Sequence, residues 1–348
     1  MSSFETLVQA YDAGLEKRGG RLVPVREDHA LQIVKLAGQH LEFNGFLDCG
    51  GEAILFKVLD KNLNDLQRVL KIPRAHLKDR DRQRFIRSAR LLARQNSMYF
   101  PTVIHLSLEP LFLLLDWTPG VTLREWIKSS KYSMGMAIEY YRAILIAISF
   151  FHRESVAHRD IKPDNILITY EDMVKILDFG LAKSKEDKTY TRVGDELGVE
   201  EYVAPEQEIN PAAATDTTVD VFSLGHIFYE MFTRDSTFEN ATDLMKALGH
   251  SDEVINFYQI ACDIDSHQRF KNAQEMLIAF NELYPALSIE PSRKEDIYTV
   301  LEDLLVLCAG DRFKVGLITG MTKNELFPLW AALKERKAKQ CLSSLTEV

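Results

Sequence analysis

The period of the apolar residues changes twice along this chain. Phe4, Leu7, Val8, Tyr11 and Leu15 recur at helical spacing until Gly19-Gly20, so residues 1–40 read as a helical extension. From about Leu41 the signal turns to short strands. Residues 53–58 and 68–72 are apolar runs flanking the polar stretch 60–65, which predicts a hairpin, and 103–106 with 111–115 continue the strand character. One helical stretch, 79–96, interrupts them. Beyond Asp116 helical periods dominate. Residues 137–151, 219–232, 253–262 and 273–283 each predict a helix, with 166–169 and 174–177 as short strand-like exceptions. After Pro285 and Pro291 two more helices are expected, near 297–308 and 322–336.

The resulting division is an extension (1–40), a small strand-rich lobe with one main helix (41–116), a larger helical lobe (117–288) and a second helical extension (289–348). That is an α+β, bilobal architecture. A length of 348 residues suits it.

Composition changes this picture only by exclusion. A formal net charge of −9 makes nucleic acid a poor partner. The four cysteines, Cys49, Cys262, Cys308 and Cys341, form no C-x-x-C pair, so reduced thiols are expected rather than a disulfide framework or zinc site. The polar start carries Glu5 and Asp12 and does not read as a signal peptide. The longest apolar run, 143–151, falls short of the ~20 residues of a membrane span. A soluble cytoplasmic protein is the expectation.

The chemistry concentrates in His158-Arg159-Asp160-Ile161-Lys162-Pro163-Asp164-Asn165, between a predicted helix and a strand-like pair. Phosphoryl transfer needs a positioned hydroxyl, a carboxylate beside it and cations over the spreading phosphate charge. Asp160 fits the carboxylate, Lys162 the cation, and Asn165 offers a hard oxygen to Mg²⁺. Thirteen residues later stands Asp178-Phe179-Gly180, whose carboxylate at a strand end suits a second Mg²⁺ ligand.

On these motifs the chain resembles a eukaryotic-type (Hanks-type) serine/threonine protein kinase over roughly residues 41–288. The resemblance extends through Ala204-Pro205-Glu206 and Asp220–Gly225 to Arg269. It implies ATP and Mg²⁺ as cofactors, protein substrates, a Glu206–Arg269 pair, and Asp220 as a brace for the catalytic loop. It also implies that Lys71 holds the α- and β-phosphates. Leu47, Gly50 and Gly51 would cover the nucleotide, and Leu55, Val69 and Leu167 would enclose the adenine. Leu115 would guard the back of that pocket, and Asp116 to Thr118 would form the hinge that reads the base. Arg159 implies regulation by a phosphate in the segment 181–202.

Three features depart from the family pattern. The glycine-rich loop keeps Gly50 but has Asp48 and Ala53 at the other two glycine positions. Ser88 stands where the small-lobe helix carries a glutamate, and no acidic residue occurs from Arg82 through Leu108. Val199 replaces the usual threonine, although Lys162 favours serine/threonine over tyrosine as acceptor. These departures keep a pseudokinase scaffold and a small-molecule kinase as alternative readings. The basic helix 80–94, with Arg80, Arg82, Arg84, Arg87, Arg90 and Arg94, reads as a solvated face or as a dock for an acidic or phosphorylated partner.

Overall fold

The computed structural model describes residues 3–18, 21–24, 28–50, 52–95, 97–177, 200–209 and 216–284. Gly51, Asp178–Gly180, the segment 181–199 and both helices expected after residue 289 lie outside the described residues.

The small lobe is built on a five-stranded antiparallel sheet in the order β3-β4-β5-β7-β6. Its strands are β3 (Leu41–Cys49), β4 (Ala53–Asp60), β5 (Leu66–Pro73), β6 (Val103–Leu108) and β7 (Leu111–Asp116). The expected hairpin is β4–β5, in continuous register from Ala53↔Pro73 to Asp60↔Leu66. Alternation along β4 and β5 separates two faces. Ile54, Phe56, Val58, Leu70 and Ile72 point to one and are buried, whereas Leu55, Lys57, Val69 and Lys71 point to the other and are half-buried.

The buried face is covered by the N-terminal segment. Helices α1 (Ser3–Ala13) and α2 (Asp28–Ala37) place Phe4, Val8, Tyr11, Ala30, Ile33 and Val34 against it in one apolar cluster. Tyr11 meets Phe56 edge-on at 5.2 Å between ring centroids. Each such side chain contributes about 1.5–3 kcal/mol by leaving water. The expectation of an all-helical 1–40 needs correction here. Strands β1 (Leu15–Arg18) and β2 (Arg21–Pro24) pair antiparallel between the two helices, from Leu15↔Pro24 to Arg18↔Arg21. Gly-Gly is as much a two-residue hairpin signal as a helix stop, and four residues on either side are too few to show a strand period.

The other face packs on helix α3 (Asp79–Arg94), where Ala89 and Leu92 join Leu113 and Leu115 of β7 and continue into the core of the large lobe. Covered on both faces, β7 is buried from Leu111 to Leu115, which explains its unbroken apolar run.

In the large lobe, α5 (Met134–His152) runs through the core against α7 (Thr218–Thr233) and α10 (Ala273–Leu283), with α9 (Asp252–Ala261) beside them. The Ser133 hydroxyl caps α5 by accepting from Met136 N. Length and composition alone would let α5 cross a membrane, but two-thirds of its most apolar window is buried inside the fold, as befits a core helix. A second sheet, β10-β9-β8, follows the hinge. In it β8 (Gly120–Thr122) pairs with β9 (Ile166–Thr169), and β9 with β10 (Val174–Ile176). A Cβ at Gly120 would lie 2.4 Å from Ile168 O, so only glycine lets β8 approach this closely. The register Thr122↔Leu167 then holds the chain after the hinge beside the strand that follows the catalytic loop.

Candidate functional site

The half-buried face of the small sheet supplies one wall of the site. Leu55 lies opposite Lys71, and Lys71 opposite Leu113, so the lysine shares a face with Leu55 and Val69. Leu47 of β3 and Leu167 of β9 are likewise apolar but only half-buried, as residues lining a groove are. Gly50 closes the β3–β4 hairpin through its N–H to Ala53 O at 3.0 Å. Cys49, next to it, is buried in the outer cluster beneath α1 and α2.

At the hinge, Asp116 is tied on two sides. Its carboxylate accepts from Thr102 N at 2.5 Å and lies 3.7 Å from Lys175 Nζ of β10, while its N–H donates to Thr102 O. Trp117 is held under Lys57 Nζ, 4.3 Å from the ring centroid. Thr118 is half-buried between Trp117 and β8.

The residues of the loop 158–165 meet directly. Lys162 Nζ reaches both carboxylate oxygens of Asp160, at 3.1 and 3.2 Å. Asn165 Nδ2 donates to Asp160 O at 2.8 Å and to Asp160 Oδ2 at 3.0 Å. Both of these bonds use the amide nitrogen, which leaves the amide oxygen to serve a cation. The structure thus brings Asp160, Lys162 and Asn165 together, while Asp178 and Gly51 lie outside the described residues.

The loop is held from beneath by Asp220, which is fully buried on α7. One carboxylate oxygen accepts His158 N at 2.6 Å and the other Arg159 N at 2.7 Å. His152 Nε2 lies 2.9 Å from the first oxygen, and Ala273 N donates to His152 Nδ1 at 2.9 Å. An Nδ1 that accepts puts the imidazole proton on Nε2, so His152 donates to Asp220 as a neutral ring. Burial alone would raise the Asp220 pKa; the hydrogen bond from His152 and the backbone N–H of Arg159 outweigh it and lower the pKa below the ordinary 3.8. Arg159 itself has φ 68°, a left-handed backbone that costs a non-glycine residue about 1–2 kcal/mol. Its bond to Asp220 helps hold it there.

The other side of the loop is equally tied. Glu206, in α6 (Pro205–Ile209), takes both terminal nitrogens of the fully buried Arg269, at 2.7 and 2.9 Å, as the resemblance implies. Sequence reasoning missed the network beside it. Arg124 in α4 (Leu123–Lys128) bridges Asp164 of the catalytic loop (2.9 Å) and Glu230 of α7 (3.2 Å), and the Tyr202 hydroxyl donates to Glu230. A usable signal was present, because Thr122-x-x-Glu125 is the capping box that starts α4.

His226, also on α7, stacks on Phe238 at 4.0 Å, and its Nδ1 has no hydrogen-bond partner among the described residues. Burial lowers its pKa to about 4, with the charge of Arg269 adding to the effect. The folded value lies below the ordinary 6.5, so the unfolded chain takes up the proton first and stability falls as pH drops from about 6.5 to 4. We expect His226→Phe to remove that part of the slope, on the order of 3 kcal/mol across the window. Urea unfolding at stepped pH would show it, and an unchanged profile would refute it.

The basic helix is partly satisfied within the chain. Arg82 meets Glu5 of α1 at 3.2 Å and Arg84 meets Asp81 at 2.9 Å, whereas Arg87 and Arg90 are exposed. Burial is the main cause of a lowered Arg159 pKa, and the like charge of Arg84 contributes.

Comparison with known proteins matches this geometry. The family model for the protein kinase domain covers residues 46–323, past the lobe boundary expected at 288. A probable serine/threonine-protein kinase of Clostridium acetobutylicum is 30% identical over 205 residues, covering 58% of this chain and 31% of that protein. A probable serine/threonine-protein kinase PknB of Bifidobacterium longum is 31% identical over 238 residues, covering 63% of this chain and 34% of its own length. The chain therefore spans about a third of the length of these curated relatives. With its catalytic loop, its two-lobed α+β architecture and a family match over most of its length, the chain belongs to the protein kinase domain family.

Proposed function

We propose that this chain transfers the γ-phosphate of Mg-ATP to serine or threonine hydroxyls of protein substrates. The observation that carries the reading is the Asp160–Lys162–Asn165 cluster, locked from below by Asp220. The residues present fit the nucleotide. Half-buried apolar side chains at Leu47, Leu55, Val69 and Leu167 suit a flat base, and Lys71 on the same face suits its phosphates. ATP supplies the transferable phosphoryl group and Mg²⁺ neutralises it; Asn165 and Asp178 would hold the metal. Asp160 orients the acceptor hydroxyl and takes its proton, and Lys162 balances the charge that builds on the phosphoryl oxygens. Gly50, Gly51 and the backbone at Asp116 and Thr118 complete the nucleotide contacts.

The Glu206–Arg269 tie supports a protein rather than a metabolite as acceptor, because it anchors the segment that would hold a peptide. The names of the relatives and Lys162 support serine or threonine. Arg87, Arg90 and Arg94 are exposed basic residues of α3 left for an acidic or phosphorylated partner. A cytoplasmic location belongs to the same proposal, supported by Cys49 and Cys262, which form no disulfide with each other. Ser88, at the glutamate position on α3, favours a second reading as a nucleotide-binding scaffold. γ-Labelled ATP with a peptide array separates the two. We expect label on serine or threonine peptides, and nucleotide binding without any transfer would establish the scaffold instead.

A further inference from the structure

The turn between β3 and β4 is fastened from outside the groove. The Gly50 N–H to Ala53 O bond closes the hairpin itself, and its outward carbonyls are taken by one residue just past the end of β5. Arg74 donates its backbone N–H to Glu52 O at 2.9 Å and its guanidinium NH1 to Gly50 O at 3.2 Å. The guanidinium is in turn aimed by Asp12, whose Oδ1 accepts from Nε at 2.7 Å and lies 2.6 Å from the other terminal nitrogen. The two side chains are only 8% and 15% exposed, so solvent screens this pair far less than a surface ion pair. Asp12 is fixed because it follows Tyr11, which α1 packs into the outer cluster.

We propose that Asp12 is a positioning residue for nucleotide binding, acting through Arg74 on the Gly50 carbonyl. Holding the carbonyls of Gly50 and Glu52 restrains the backbone of the turn on both sides of its tip. A turn whose backbone must meet phosphate is thereby set before the ligand arrives, which lowers the ordering cost of binding. The device suits this chain in particular, since Asp48 and Ala53 stand where the family pattern has glycines. It rests on the reading of the groove as a nucleotide site.

Asp12→Asn keeps the shape and removes the charge. Its dissociation constant for a fluorescent ATP analogue and its KM for ATP should rise about tenfold, while kcat at saturating ATP stays within about twofold. Hydrogen exchange over residues 45–56 should quicken without any nucleotide. Arg74→Lys, which keeps the charge but cannot bond Asp12 and Gly50 together, should behave alike, and Asp12→Glu should recover part of the affinity. Glu5→Gln cuts the separate bridge from α1 to Arg82 and should leave nucleotide affinity unchanged. Wild-type affinity and exchange in Asp12→Asn would overturn the proposal and leave the kinase reading intact. So would a loss of affinity in Glu5→Gln equal to that in Asp12→Asn, since it would mark a general effect of loosening α1. A wild-type protein that binds no nucleotide would overturn both.

Discussion

Asp160→Asn is expected to lower kcat for phosphate transfer by about 10³-fold while leaving nucleotide affinity and thermal stability close to wild type. The substitution is isosteric. Its amide oxygen still accepts from Lys162 or Asn165, so the loop keeps its shape; what goes is the negative charge and the capacity to take a proton. The side chain is about one-fifth exposed, so folding energy depends little on it. Steady-state kinetics beside a thermal melt gives the answer. Activity within tenfold of wild type would mean that Asp160 is not the base, and the assignment of the loop would fail with it.

The second large effect belongs to Asp220. Asp220→Asn puts an NH₂ group where three donors already converge, His152 Nε2, His158 N and Arg159 N, on a side chain with no solvent exposure. Breaking a buried charged arrangement of this kind costs about 3–5 kcal/mol. It should also cost activity, because Arg159 loses the bond that helps hold its left-handed backbone next to Asp160. Acid supplies an independent check. The folded pKa of Asp220 lies below its ordinary 3.8, so its stabilisation is complete above about pH 4 and disappears as pH falls through the lower folded value. That window is distinct from the one assigned to His226. Denaturant midpoints at pH 7 and at pH 3 should therefore converge for the variant relative to wild type, and parallel midpoints would contradict the account.

Much of this was legible in the chain. Apolar runs on either side of a polar turn marked β4 and β5, and the run at 111–115 marked β7 as a strand. The loop 158–165 carried its chemistry in eight consecutive residues, so no tertiary knowledge was needed to find it. What stayed hidden shares one physical cause, that the contact has no local signature. Asp12 and Arg74 lie 62 residues apart, and an acid in a polar stretch looks the same whether it faces water or a buried guanidinium. His152 reads as the polar end of an apolar helix, yet it bridges Asp220 and Ala273. The β1–β2 hairpin was lost to the opposite ambiguity, since Gly19-Gly20 serves equally as a stop and as a turn. The two-residue shortfall at the end of the expected helix 79–96 is the ordinary imprecision of helix ends.

The roof over the small sheet also bears on where this folded unit begins. The family match starts at residue 46, yet a polypeptide cut there would lose α1, α2 and the start of β3. Phe56, Leu70, Ile72, Phe112 and Leu114 would then form a naked greasy panel, the kind of surface that drives chains to clump. The apolar core of the small lobe therefore reaches back to Phe4, and the opening residues belong to its packing rather than sitting as an ornament on it.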